Sequence, residues 1–334
     1  MTHRERVIEA LHHRSPDVCP WNLSFTIPAA AKMADHYGDE HFEATIGNHV
    51  AMGDPRPPDA WTEIEPGWWR DEFGVVWNRT VDPDIGNPDG AVLSDGDLDR
   101  LRFPDPHDPK RYEGIARLCE EFPDDFLVGS IGFSLFERAW TLRGMEQLLV
   151  DMVTDPAFVE ALFEKITDWN LAVIDHLCEH PIDAVHTGDD WGQQHGLIMG
   201  PDCWRKFVKP CVNRMYGRSK SHGKFVSIHS CGDITTVLGD LVDLGLDIFN
   251  PFQPEVMDVE AVKREFGKHL TFYGGVSTQK TLPYGTPEDV RAEVRRRIET
   301  IGKRGGYICS PAHGIPGDVP VENMVALIEE LQNQ

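Results

Sequence analysis

A chain of 334 residues, 40% hydrophobic and 26% charged, can bury a large core and has the balance of a globular protein, not a disordered or fibrous one. Its 55 acidic residues against 32 basic ones leave a formal charge of -23, a field that repels nucleic acid and anionic membranes and argues against both as partners. No run approaches the roughly 18 apolar residues of a membrane span, and seven scattered cysteines without a CxxC read as reduced cytoplasmic thiols.

The opening MTHRERVIEALHHR is amphipathic and predicts a helix over residues 1–14, with no apolar core of a signal peptide. SPDVCPWNLSF breaks that helix and leads into an extended segment, and Pro55-Arg56-Pro57-Pro58 marks a loop. In GWWRDEFGVVWNRT, Phe73, Val75 and Trp77 alternate with small or polar residues around Gly74, the pattern of a hairpin. Turn-rich VDPDIGNPDG follows. Residues 1–105 therefore read as a cap and hairpin region, and 106–334 as the main repeats of the same single domain.

From about residue 110 short apolar runs alternate with helical stretches. FLVGSIG precedes helices near 143–152 and 156–179, and DAVHTGDD precedes one near 201–221. KFVSIHSCGD, DIFNPFQP, LTFYGGVST and YICSPAHG are followed by helices near 234–244, 257–266, 286–303 and 321–332. Strand then helix, about six times over, implies a parallel sheet with helical crossovers. No GxGxxG follows the first of these strands, and almost every run ends in polar or reactive residues. Chemistry gathered at the C-terminal ends of many strands is what a barrel active site requires, so the expected fold is α/β, a (β/α)8 barrel with an N-terminal helix and hairpin cap.

Within FVSIHSCGDI, His229 and Cys231 fall two residues apart, so a strand would aim both at the same face. Zinc takes nitrogen and thiolate ligands in tetrahedral geometry, and His-x-Cys supplies two corners. Cys309, in a later run with the same kind of polar end, is a candidate third ligand, and Gly232 would let the backbone turn sharply beside the site. Spacing alone leaves the alternative open, a hydrogen-bonded histidine beside a cysteine packed as a small hydrophobe.

The segments HTGDDWGQQHGLIMGP, KFVSIHSCGDI, IFNPFQP, LTFYGGVSTQKTLPYGTPEDV and GGYICSPAHGIPGDVPVENMVAL, with the opening THRERVIEALHHRSPDVCPW, resemble the uroporphyrinogen decarboxylase superfamily. The resemblance implies a (β/α)8 barrel and one of two chemistries. Metal-free tetrapyrrole decarboxylases of the family bind substrate carboxylates through an N-terminal arginine-rich segment of the type RQAGRY. The matching stretch here, CPWNLSFTIPAAAKMADHYG, contains no arginine. The other branch comprises zinc-dependent methyltransferases that work with corrinoid proteins and carry a His-x-Cys pair and a distant cysteine. For this chain that resemblance implies zinc on His229, Cys231 and Cys309, a corrinoid (cobalamin) carried by a partner protein, and a small-molecule thiol acceptor or methoxylated donor, as in O-demethylation. A metal-free decarboxylase and a non-catalytic zinc- or corrinoid-binding module are the alternatives, and a homo-oligomer is left open.

The remaining candidates carry two readings each. Asp189 and Asp190 in HTGDDWG are either catalytic carboxylates, as base, fourth ligand or orienter of His229, or helix caps. Gln253, Gln279 and His313 either contact substrate or satisfy loop backbone. Trp77, with Trp68 and Trp69, offers an aromatic wall for a methoxylated ring or a corrin face, or plain hairpin packing. His186 reads as a core histidine, and Cys203 and Cys211 as structural.

Overall fold

The computed structural model describes residues 1–334. Seven parallel strands form one curved sheet in the order Val50–Gly53, Phe126–Ile131, Ala184–Gly188, Phe225–His229, Ile248–Phe252, Thr271–Val276 and Tyr307–Pro311. Residues 20–23 close it. Cys309 N–H donates to the Pro20 carbonyl at 2.8 Å and Asn22 N–H to the Cys309 carbonyl at 3.1 Å, while His49 N–H donates to the Trp21 carbonyl at 3.0 Å on the other side. This short eighth segment joins the last strand to the first, so the sheet is a closed barrel as expected.

Two of the eight staves thus come from the region that reads as cap in the sequence. Pro20 has no N–H to offer, and the segment pairs through so few residues that no strand pattern marks it. The six later strand–helix repeats fall where the periodicity places them, with long helices at Pro156–Cys178 and Pro287–Arg297 and a last one at Val321–Gln332. The opening helix spans His3–Leu11, capped by Thr2 and Glu5 acting reciprocally. Its Val7 and Leu11 plug the floor of the barrel against Val50, Val128, Ala184, Ile248 and Ile308.

Above that apolar floor the inward residues turn polar. Ser130, His186 and Ser227 lie in register with one another, and His186 Nδ1 meets the Ser227 hydroxyl at 2.8 Å. The outward faces pack on the helices in a core of 67 buried residues. The hairpin enlarges into a four-stranded antiparallel sheet of Trp61–Glu65, Trp68–Asp71, Val76–Asn78 and Asn87–Asp89 that covers part of the upper rim. No helix is long and apolar enough to cross a membrane.

Candidate metal centre

The strand Phe225–His229 alternates Phe225, Ser227 and His229 toward the barrel axis with Val226 and Ile228 toward the helices. His229 is the last residue of that strand, opposite Gly188 on one side and Asn250 on the other. Gly188 leaves room beside the imidazole, and Asn250 orients it. Asn250 Nδ2 donates to the Tyr273 carbonyl at 3.0 Å, so its Oδ1 is the atom left to accept His229 Nδ1–H at 2.6 Å. The lone pair then sits on Nε2, which lies 3.2 Å from Cys231 Sγ.

Beyond the strand the backbone turns through Gly232 at φ 83°. A Cβ there would stand 2.4 Å from Gln193 N, so glycine is required both for the conformation and for the close approach of the neighbouring loop. Every N–H of the turn is held. Ser230 donates to the Asn250 carbonyl, Cys231 to Asp190 Oδ1 at 2.8 Å, Gly232 to Gln253 Oε1 at 3.2 Å, and Asp233 to the Gln193 carbonyl.

His313 enters from the loop after the strand Tyr307–Pro311. Its ring lies 5.6 Å from that of His229, and one ligand atom from each of His229, Cys231 and His313 falls within 4.8 Å of the others. Zinc bonds of about 2.0–2.3 Å require tetrahedral ligands somewhat under 4 Å apart, so small side-chain rotations suffice. The donor set fits zinc: two imidazoles and a thiol, one imidazole already locked by an outer hydrogen bond. Partial desolvation by the surrounding loops and the adjacent His229 lower the pKa of His313, whose edge stays exposed, and so favour the neutral form that ligation needs. Burial, with Asp190 and Glu137 nearby, pushes the Cys231 thiol up.

Cys309, expected as the third ligand, does not join this cluster. Along its strand Ile308 points into the barrel floor, so Cys309 points the other way, into the packed layer beneath the helices. There burial pushes its thiol up to about 12, and the charges acting on it are Glu293 and Arg297 of the Pro287–Arg297 helix. Four residues further on, His313 is the residue whose ligand atom lies near those of His229 and Cys231.

The two aspartates divide. Asp189 is completely buried and anchors the helix Phe136–Arg143, accepting from the backbone N–H groups of Leu135, Phe136 and Glu137 and from the Trp191 indole at 2.5 Å. Burial raises its carboxyl to about 6 against the pull of those donors. This position makes it a scaffold group, away from the cleft. Asp190 instead faces His229, with Oδ1 3.9 Å from Nε2, and holds the Cys231 backbone.

Glu137 is a group the sequence reading missed. Burial and the neighbouring Asp190 and Asp189 raise its pKa well above the ordinary value. Its only mark in the sequence is an acidic residue at the start of a helix, which is commonplace.

A cleft of about 430 Å³ opens above Cys231 and His313, with Gln253 and Gln279 on its walls. Gln253 also secures the Gly232 turn, whereas Gln279 is exposed. Trp77 is elsewhere. It is buried in the cap sheet, donates its indole N–H to Asp71 and meets the Phe133 ring edge-on at 5.3 Å. His186 lies below the cluster, its ring 6.4 Å from that of His229, fully buried and neutral, with burial driving its pKa down to about 3.

Comparison with known proteins adds an outside view of this arrangement. The family model described as Uroporphyrinogen decarboxylase (URO-D) matches residues 74–334. The uroporphyrinogen decarboxylase of Chlorobaculum tepidum is 25% identical over 259 residues, 73% of this chain and 70% of that one. The methylcobamide:CoM methyltransferase MtaA of Methanosarcina barkeri is 24% identical over 261 residues, 75% of this chain and 69% of that one. Among solved structures, a methyltransferase from Methanosarcina mazei superposes with a TM-score of 0.74 at 19% identity, over 100% of this chain and 99% of the other, a likeness of fold.

Proposed function

Since the chain belongs to the uroporphyrinogen decarboxylase family, its function must be sought among barrel enzymes of that family, and we propose that it is a zinc-dependent methyltransferase. It would move a methyl group between a corrinoid carried by a partner protein and a small molecule. The observation that carries this reading is the cluster of His229, Cys231 and His313 at the barrel mouth, with Asn250 fixing the tautomer of His229. Zinc held there would supply a Lewis acid, and three protein ligands leave a position free for the thiol or ether of a substrate.

The chain's own residues do the rest. Asn250 keeps Nε2 of His229 aimed at the cleft, and Asp190 holds the Cys231 backbone in place. Gln253 and Gln279 present amides to a bound molecule. A metal-free tetrapyrrole decarboxylase is the second reading, favoured by the relatives of that name and by the partly exposed Asp190 carboxylate beside His229.

Zinc analysis of the purified protein, combined with methyl transfer to or from cobalamin followed by its visible spectrum, tests the choice. Stoichiometric zinc and a cobalamin spectral change with a thiol or methoxylated compound are expected. A folded, metal-free protein that decarboxylates a tetrapyrrole would overturn the proposal.

A further inference from the structure

A second cavity, of about 190 Å³, lies between the cap sheet and the barrel rim. Trp61, Phe73, Trp77 and Phe133 give it aromatic walls. An engineered apolar cavity of about 150 Å³ holds benzene, so this space takes one substituted ring and not a tetrapyrrole. Phe133 adopts φ 51°, a left-handed conformation that a side chain this bulky rarely takes, and the turn points its ring at Trp77.

Four arginines reach the cavity, and two are already committed. Arg111 forks onto Glu72, and Arg138, buried over the Phe73 ring, donates to Asp71 at 3.0 Å. Arg79 has no carboxylate within ion-pair distance. Its Nε donates to the Ile85 carbonyl at 3.2 Å, and its guanidinium lies 4.1 Å from the centre of the Trp61 ring. Arg56 stands 5.9 Å from the same ring, with only a 3.4 Å contact to an exposed Asp54. Two like charges over one indole repel each other, and an anion placed between them would relieve that repulsion.

One backbone contact connects this cavity with the metal cleft. Asp84 lines the cavity and accepts the Ile27 N–H at 2.8 Å, while the preceding residue, Thr26, lines the cleft of Cys231 and His313. We infer that the cavity binds the small-molecule substrate as a single aromatic ring bearing a carboxylate, the ring between the aromatic walls and the carboxylate held by Arg79 and Arg56. As a substrate site this rests on the methyltransferase reading, but the binding itself requires neither zinc nor corrinoid.

The test is calorimetric titration of the intact protein with 4-methoxybenzoate and with its neutral counterpart 4-methoxybenzyl alcohol. The acid is expected to bind more tightly than the alcohol. Arg79→Gln should weaken the acid by at least about tenfold, the scale of a charge-assisted hydrogen bond, and leave the alcohol unchanged. Arg79→Lys should restore part of the loss, and the exposed Arg56→Gln should weaken the acid severalfold without threatening the fold. Equal binding of acid and alcohol, no saturable binding of the acid, or an acid affinity indifferent to both glutamine variants would overturn the inference. Saturable, arginine-dependent binding without methyl transfer would refute the enzymatic reading and leave the site standing. Methyl transfer from a neutral donor at full rate in Arg79→Gln would do the reverse.

Discussion

Replacing His313 by alanine separates the metal centre described here from one built on Cys309. Zinc sites of four protein ligands bind with roughly 10–16 kcal/mol, so one ligand carries on the order of 3 kcal/mol, about a hundredfold in affinity. His313→Ala is therefore expected to weaken zinc binding by about that factor, water taking the vacated position. Asn250→Ala, which only releases the outer hydrogen bond on His229, should cost about 10- to 100-fold. Cys309→Ala removes a thiol from the layer under the helices, so it should leave the affinity within about twofold while lowering stability by about 1 kcal/mol. Competition against a chromophoric chelator reads all three affinities, and circular dichroism confirms the fold of each variant. Loss of zinc in Cys309→Ala with retention in His313→Ala would refute the assignment.

Further expectations follow from the buried charges. Asp189→Ala leaves three backbone N–H groups and the Trp191 indole without their acceptor, which should destabilise the protein by about 4 kcal/mol or more in urea unfolding; an unchanged midpoint would show that the anchor is dispensable. His186 and His49 are buried and neutral, each with its pKa lowered to about 3. Their contribution is fully present above the unfolded value of about 6.5 and is lost as pH falls toward 3, at about 1.4 kcal/mol per pH unit for each group. Urea midpoints between pH 7 and 5 should reveal that slope, and His186→Asn should remove about half of it, His49 keeping the rest. Because burial keeps the Cys231 thiol protonated, zinc uptake at neutral pH should release about one proton, and affinity should rise with pH. Calorimetry in buffers of different ionisation enthalpy counts that proton.

The barrel was legible because six of its parallel strands are short apolar runs ending in polar residues, and the His229–Cys231 pair because Ser227 and His229 alternate visibly with Val226 and Ile228. That parity cannot be read in Tyr307–Pro311, where both faces are buried and both look apolar. Nothing local shows that Ile308 points inward and Cys309 outward, or that His313 lies beside His229 and Cys231 instead. The place of His313 depends on the path of a loop, which periodicity does not describe. Trp77 stands apart from the metal cleft for a related reason: the alternation that marks the hairpin is real, but its buried face turns onto the barrel rim and Phe133, where it walls the second cavity. Residues 20–23 left no strand signature because a proline and a few carbonyls are enough to close the ring.

That closure links the timing of synthesis to the chemistry. The segment around Trp21 leaves the ribosome early but finds its partner only when Cys309 follows, almost 300 residues later. Contacts of such separation form late and slow the search for the native state. His313 arrives in the same final stretch that completes the ring. A nascent chain stalled before that point has His229 and Cys231 but not His313, so on the proposed function tight metal retention would be a property of the finished barrel. Loading with metal would then coincide with the last act of folding, and a fragment lacking the final strand should expose two unpaired sheet edges and hold zinc only loosely.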